Sequence, residues 1–149
     1  MLPRWHVLLG GIFALLILIA APYTNIIYIS LFFLASFLID FDHYMCSVIN
    51  TRKLNLKEAF EYHRKMGALD KERRRRGLKE RGDFHIFHTI EFHILVGVLG
   101  FLWTGFFYIF LGMVFHSLCD LYSLLYSREM YRREFFFVNW VWRKIRRKD

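Results

Sequence analysis

The sequence predicts an all-α membrane protein: a four-transmembrane-helix bundle with a basic cytoplasmic loop helix and a C-terminal interfacial helix. Three observations lead there. Of the 149 residues, 56% are hydrophobic, yet 23% are charged and the net charge is +8. Both can hold only if the two kinds of residue are kept apart: apolar runs fill 7–39 and 94–126, while Lys and Arg crowd 52–81 and 128–148. Each apolar run is also long enough to cross a bilayer twice around one turn. The length fits a single membrane domain, 1–149.

The first span covers about 5–21 and stops at Pro22; Tyr23-Thr24-Asn25 makes a turn, and a second span follows over about 26–42. Each has about 17 residues, roughly 25 Å at 1.5 Å per residue, short for a bilayer core but workable with anchored ends. Only Arg4 precedes the first apolar run, so cleavage after Ala20-Ala21 as a signal peptide is not expected. Residues 44–84 form a basic cytoplasmic loop. Within it Leu56, Phe60 and His63 recur at helical spacing among Lys and Glu, the pattern of an amphipathic surface helix facing anionic headgroups. The third and fourth spans cover about 88–103 and 106–126, with Thr104-Gly105 as the turn. The tail, 128–149, sets Phe135, Phe136, Phe137, Trp140 and Trp142 before Arg143, Lys144, Arg146, Arg147 and Lys148, which reads as an interfacial anchor. Cys46 and Cys119 make no disulfide framework.

Charge sets the orientation. With four crossings, the N-terminus, the 44–84 loop and the C-terminus share one side, and they hold every Lys and Arg. The positive-inside rule puts them in the cytoplasm, in an inner or plasma cell membrane. Membrane lipids are the expected partners, and nucleic acid is not expected.

Ionisable side chains inside membrane helices are costly and rarely face lipid. His6 lies 16 residues before Pro22 and Asp40 lies 15 after Asn25. Counting from Gly105, His93 is 12 residues back and His88 is 17, while His116 is 11 forward and Asp120 is 15. At 1.5 Å per residue these positions scatter over only about 9 Å along the membrane normal. Four spans thus bring imidazoles and carboxylates to one layer near the inner surface. His116 and Asp120 are i and i+4 on one helix face, His88 and Glu91 are i and i+3, and Asp40, Asp42 and His43 cluster where a helix is expected to fray. Imidazole with carboxylate suits Zn above all, with Mn, Fe or Ni as options. His85 reads as a loop residue.

These residues resemble a known family, the YdjM-type inner-membrane metal-dependent hydrolases. The D-x-D-H segment Asp40-Phe41-Asp42-His43, an early His6, the five-residue spacing of His88 and His93, and the late H-x-x-x-D of His116 and Asp120 follow the family's order. Thr89-Ile90-Glu91-Phe92 replaces the family's R-G-x-T between the paired histidines, removing its natural phosphate contact. The resemblance implies hydrolysis by metal-activated water of a phosphoester or lipid-like substrate, a phospholipid for example, at the cytoplasmic leaflet. The expected ligands of one or two ions are His6, Asp40, His43, His88, His93, His116 and Asp120, with Glu91 or Asp42 as general base. The competing expectations are a cation transporter and a non-catalytic membrane-anchored binding protein. The first calls for ionisable residues through the whole membrane depth, and the second leaves the cluster without a role.

Overall fold

The computed structural model describes residues 3–146 and is all-helical over them. The first apolar run folds as α1 (Pro3–Ala20) and α2 (Ile26–Leu38). Asn25 starts α2 by accepting a hydrogen bond from the Ile27 N–H at 2.9 Å. The expected fraying near residue 42 does not occur. The Asp40 N–H reaches back three residues to the Phe37 carbonyl (3.2 Å) and the His43 N–H to that of Asp40 (3.0 Å). After this tightened turn the helix resumes as α3 (Phe41–Thr51), so the first part of the expected 44–84 loop is helical. Asp42 thereby sits in a helix's first turn, where the backbone dipole favours a carboxylate.

The loop helix is α4 (Leu56–Arg75), capped by Asn55. A 3-10 turn, Ile86–His88, leads into α5 (Ile90–Leu99), whose cap Thr89 accepts from the Phe92 N–H. α6 (Thr104–Tyr126) follows, and α7 (Phe137–Arg146) forms the tail. Arg147 and Lys148 lie outside the described residues. The turn between α5 and α6 falls at 100–103 and not at Thr104-Gly105, which shortens the expected 88–103 helix. Gly105 belongs inside α6, because the Trp103 ring folds over it: a Cβ there would lie 2.3 Å from the indole.

α2 packs between α1 and α6, with α5 against the other side of α6. Ala14, Ile29 and Phe32 form one apolar core and Ile39, Val96 and Met113 another. α2 and α6 touch backbone to backbone at Gly112, where a Cβ would lie 2.4 Å from the Phe32 carbonyl oxygen. Gly112→Val should therefore force the pair apart and destabilise the fold by about 1–3 kcal/mol or more. Thermal unfolding and size-exclusion profiles of the purified variant would check this.

Beside its two apolar clusters the interior holds many polar residues, and much of the exterior is apolar. His6, Ser36, Ser47, His88, Thr89, His116 and Asp120 are all buried, while Leu8, Leu15, Leu16, Ile19, Ile26, Ile27, Ile94, Leu95, Val98 and Leu118 are exposed. A soluble domain distributes these residues the other way. Two helices are long and apolar enough to cross a membrane by length and composition: Ile26–Thr51, taken through its tightened turn, and Thr104–Tyr126. Arg4–Ala20 and Ile90–Leu99 are apolar but shorter.

Candidate metal centre

The polar interior lies at the end of the bundle away from the 21–25 and 100–103 turns, because α1 and α5 leave it and α2 and α6 return to it. Its first member, His116, is fully buried on α6 and donates from Nδ1 to the Ser36 carbonyl of α2 at 2.9 Å. With Nδ1 donating to that carbonyl, the neutral ring offers Nε2 as its acceptor. His88 is treated alike: its Nδ1 lies 2.9 Å from Asp42 Oδ2, which also accepts the Phe87 N–H at 3.2 Å. The two Nε2 atoms then meet at 3.2 Å, with Asp40 Oδ1 3.4 Å from that of His116 and 3.5 Å from that of His88.

The two Nε2 atoms and the carboxylate oxygen face one space, which a shared proton or a metal ion satisfies. Donor atoms about 2.0–2.1 Å from one tetrahedral ion lie about 3.3 Å from one another. The three separations here match that edge, so the residues fit a metal ion. Asp120 Oδ2 stands 3.5 Å from His116 Nε2, and His6 Nε2 lies 3.1 Å from Asp120 Oδ1 with its ring stacked on His116 at 3.8 Å. His6 Nδ1 is buried without a hydrogen-bond partner among the described residues. Four overlapping sets can hold an ion: His6, Asp40 and His116; Asp40, His43 and His88; Asp42, His43 and His85; and His88, His116 and Asp120. His88 and His116 are held through their second nitrogens, by a carboxylate and a backbone carbonyl, which is how proteins orient metal ligands.

No protein-family model, curated protein or solved structure matches the chain. The residues themselves therefore carry the functional reading.

Not every expected residue joins the cluster. His93 is buried one turn beyond it, donating from Nδ1 to the Thr89 carbonyl (2.9 Å) and accepting from the Ser117 hydroxyl at Nε2 (3.0 Å). Nδ1 is spent on the first turn of α5 and Nε2 on tying α5 to α6, so His93 leaves the ligand set. His93→Ala should keep the metal content of the protein while costing about 1–3 kcal/mol of stability, read by elemental analysis and thermal unfolding. Glu91 also points elsewhere. Its carboxylate accepts the Phe137 N–H (3.0 Å) and the Val138 N–H (3.2 Å), neutralising the first turn of α7, and cannot serve the cluster as a base. Asp42 is in the cluster, but one of its oxygens is committed to orienting His88.

Two residues come in that the sequence reading left out. His85 sets Nδ1 3.5 Å from Asp42 Oδ1, too far for a hydrogen bond. Burial, reinforced by the adjacent His43 ring, pulls its pKa down to about 3, so it presents a neutral imidazole. The H-x-x-H spacing of His85 and His88 was the available signal. Arg133, from the segment after α6, places a guanidinium nitrogen 2.8 Å from Asp120 Oδ2; nothing in its local sequence pointed there.

The cluster opens onto a cavity of about 580 Å³ under α4. Its lining combines Asp40, His43, His85 and Asp120 with Arg73, Arg132, Arg133, Asp70 and Asp83, and with the apolar Leu56, Phe60, Met66 and Leu124. α4 is held over it by His63 Nε2 donating to the His43 carbonyl (2.9 Å), by the Tyr62 hydroxyl donating to Asp83 (3.1 Å) and by an Asp70–Arg132 ion pair. Much of the basic block is paired internally, as in Arg73–Glu80 (2.9 Å), Arg81–Glu134 (2.6 Å) and Arg74–Glu129. The Phe84 ring stacks on Trp140 of α7 at 4.3 Å.

Proposed function

We propose that the chain is a membrane-embedded metal-dependent hydrolase of an anionic, lipid-like phosphoester, built as a four-span bundle of the YdjM type. The convergence of the His88 and His116 Nε2 atoms on Asp40 Oδ1, beside a cavity lined by arginine, carboxylate and apolar side chains, carries the reading.

His88, His116 and Asp120 would hold the ion, leaving a position for water beside Asp40, with His6 stacked behind His116. A divalent ion there, most fittingly Zn, would supply a Lewis acid to water and to a phosphoryl oxygen. Asp40 is the residue placed to take the water's proton. Its Oδ1 faces the imidazoles, and its side chain is 17% exposed in the cavity lining. The same carboxyl returns that proton to the leaving alcohol. Arg133 faces the phosphoryl oxygens, replacing from a different part of the chain the Arg that the 89–92 segment lacks. Leu56 and Phe60 of α4, both largely exposed beside the cavity, would receive the substrate's hydrocarbon.

Four crossings are part of the proposal. It is supported by the exposed apolar residues on α1, α2, α5 and α6 and by the 21–25 and 100–103 turns, which hold no charged residue. The Lys and Arg of the described residues then lie at the cluster end, so the cavity faces the cytoplasm and α4 and α7 meet anionic headgroups.

The test is elemental analysis of detergent-purified protein, followed by a screen of phospholipid and polyprenyl phosphoesters with and without a chelator. At least one transition-metal ion per chain and chelator-sensitive release of phosphate or alcohol is the expected result. Metal-free protein with unchanged stability overturns the reading. In an active preparation, Arg133→Ala should raise KM for the anionic substrate tenfold or more, the scale of one charge-assisted hydrogen bond of about 1.5–3 kcal/mol, with metal content unchanged.

A further inference from the structure

The donors assigned to the first ion leave a second group of ligands in the same cavity with no role. Asp42 divides its work unequally. Oδ2 binds both the His88 ring and the Phe87 N–H, while Oδ1, in a side chain only 4% exposed, has no hydrogen-bond partner among the described residues. A bare, buried carboxylate oxygen is costly unless something positive meets it. The atom nearest to answering is His85 Nδ1, 3.5 Å away, equally buried and equally unpartnered. The ring of His43 lies against that of His85, centroids 3.8 Å apart, and one donor atom from each of Asp42, His43 and His85 falls within a 4.8 Å span. No Lys or Arg ion pair to Asp42 is present among the described residues.

We infer that Asp42, His43 and His85 form a second divalent-cation site beside the first, which makes the centre dinuclear. Two imidazoles and one carboxylate are a donor set for Zn, Mn or Fe(II). The two sites are joined through shared residues. Asp40 Oδ1 lies 3.5 Å from His43 Nε2 as well as from His88 Nε2, and Asp42 orients a ligand of the first ion with one oxygen while offering the other to the second. His43 and His85 also line the cavity, which gives the ion a route in and leaves a face open to substrate. Paired ions of this kind clamp the attacking and leaving oxygens of a phosphoester. The inference rests on the hydrolase reading only for that last step; the ion count stands apart from it.

His85 is the residue to change, since it lies in the irregular segment between α4 and α5 and orients no ligand of the first ion. Full-length protein in detergent would be stripped with chelator, reloaded with Mn(II) and counted by elemental analysis, with electron paramagnetic resonance to detect ion–ion coupling. The expected result is two ions per chain and a coupled signal in the wild type, falling to one ion and an isolated Mn(II) signal in His85→Ala and His85→Asn. One ion in the wild type, unaffected by either substitution, overturns the second site and leaves the first standing. Two ions retained by both variants overturn the assignment to His85. No ion in any of them overturns both sites together.

Discussion

His116→Ala is expected to empty the first site: metal retained after dialysis should fall by at least one ion per chain, and any hydrolysis with it. The residue is the hub of the cluster, facing His88 (3.2 Å), Asp40 (3.4 Å) and Asp120 (3.5 Å) while its other nitrogen binds the Ser36 carbonyl (2.9 Å). Alanine removes the ligand, leaves the Ser36 carbonyl without that donor and opens a void beneath His6. The stability cost should reach about 2–4 kcal/mol from the lost hydrogen bond and the void. Loss of stability alone would not single out a ligand, so the comparison is with His93→Ala. That variant also removes a buried His on the same packed helices, and should cost stability without losing metal. If both variants keep their metal, His116 is a structural histidine.

Asp42→Asn should weaken metal binding at the first site by about 10–100-fold, as loss of a ligand's orienting partner does elsewhere, besides removing a ligand from the second. The carboxylate accepts two donors at Oδ2, from His88 Nδ1 and from the Phe87 N–H. An amide in its place can offer His88 an N–H instead of an acceptor. His88 would then carry its proton on Nε2, aimed at His116 and Asp40, where the ion needs a lone pair. The substitution changes shape hardly at all, so the fold should survive. Competition titration with a chromophoric chelator measures the change directly, and affinity within a factor of two of the wild type would show that Asp42 does not set the tautomer of His88.

Much of this centre could be read from residue counts. Helices rise by a fixed step, so distances from the outer turns put His6, Asp40, His88 and His116 at a common height before any packing was known. The same count admitted His93, because height does not say which way a side chain turns; the Thr89 carbonyl and Ser117 hydroxyl that occupy its ring come from tertiary packing. Glu91 misled for a related reason. Its spacing from His88 suits a helix, but a 3-10 turn precedes α5, so the two residues do not share one helical face. The continuation of α2 into α3 was hidden by the polar D-x-D-H segment, which looks like a helix end when lipid is the assumed surrounding and like a helix interior once His88 and His116 surround it. His85 and Arg133 reach the cluster from irregular segments, where no periodicity links sequence position to place.

The stack of Phe84 on Trp140 has a practical use. Phe84 adjoins His85, and α7, which carries Trp140, is fastened at its start by Glu91, three residues beyond His88. An indole is therefore mechanically linked to both halves of the centre without touching either, which makes its emission a built-in gauge of loading. Titrating cation into the stripped protein while following tryptophan fluorescence, with Trp140→Phe as the blank, would reveal occupancy before any substrate is known.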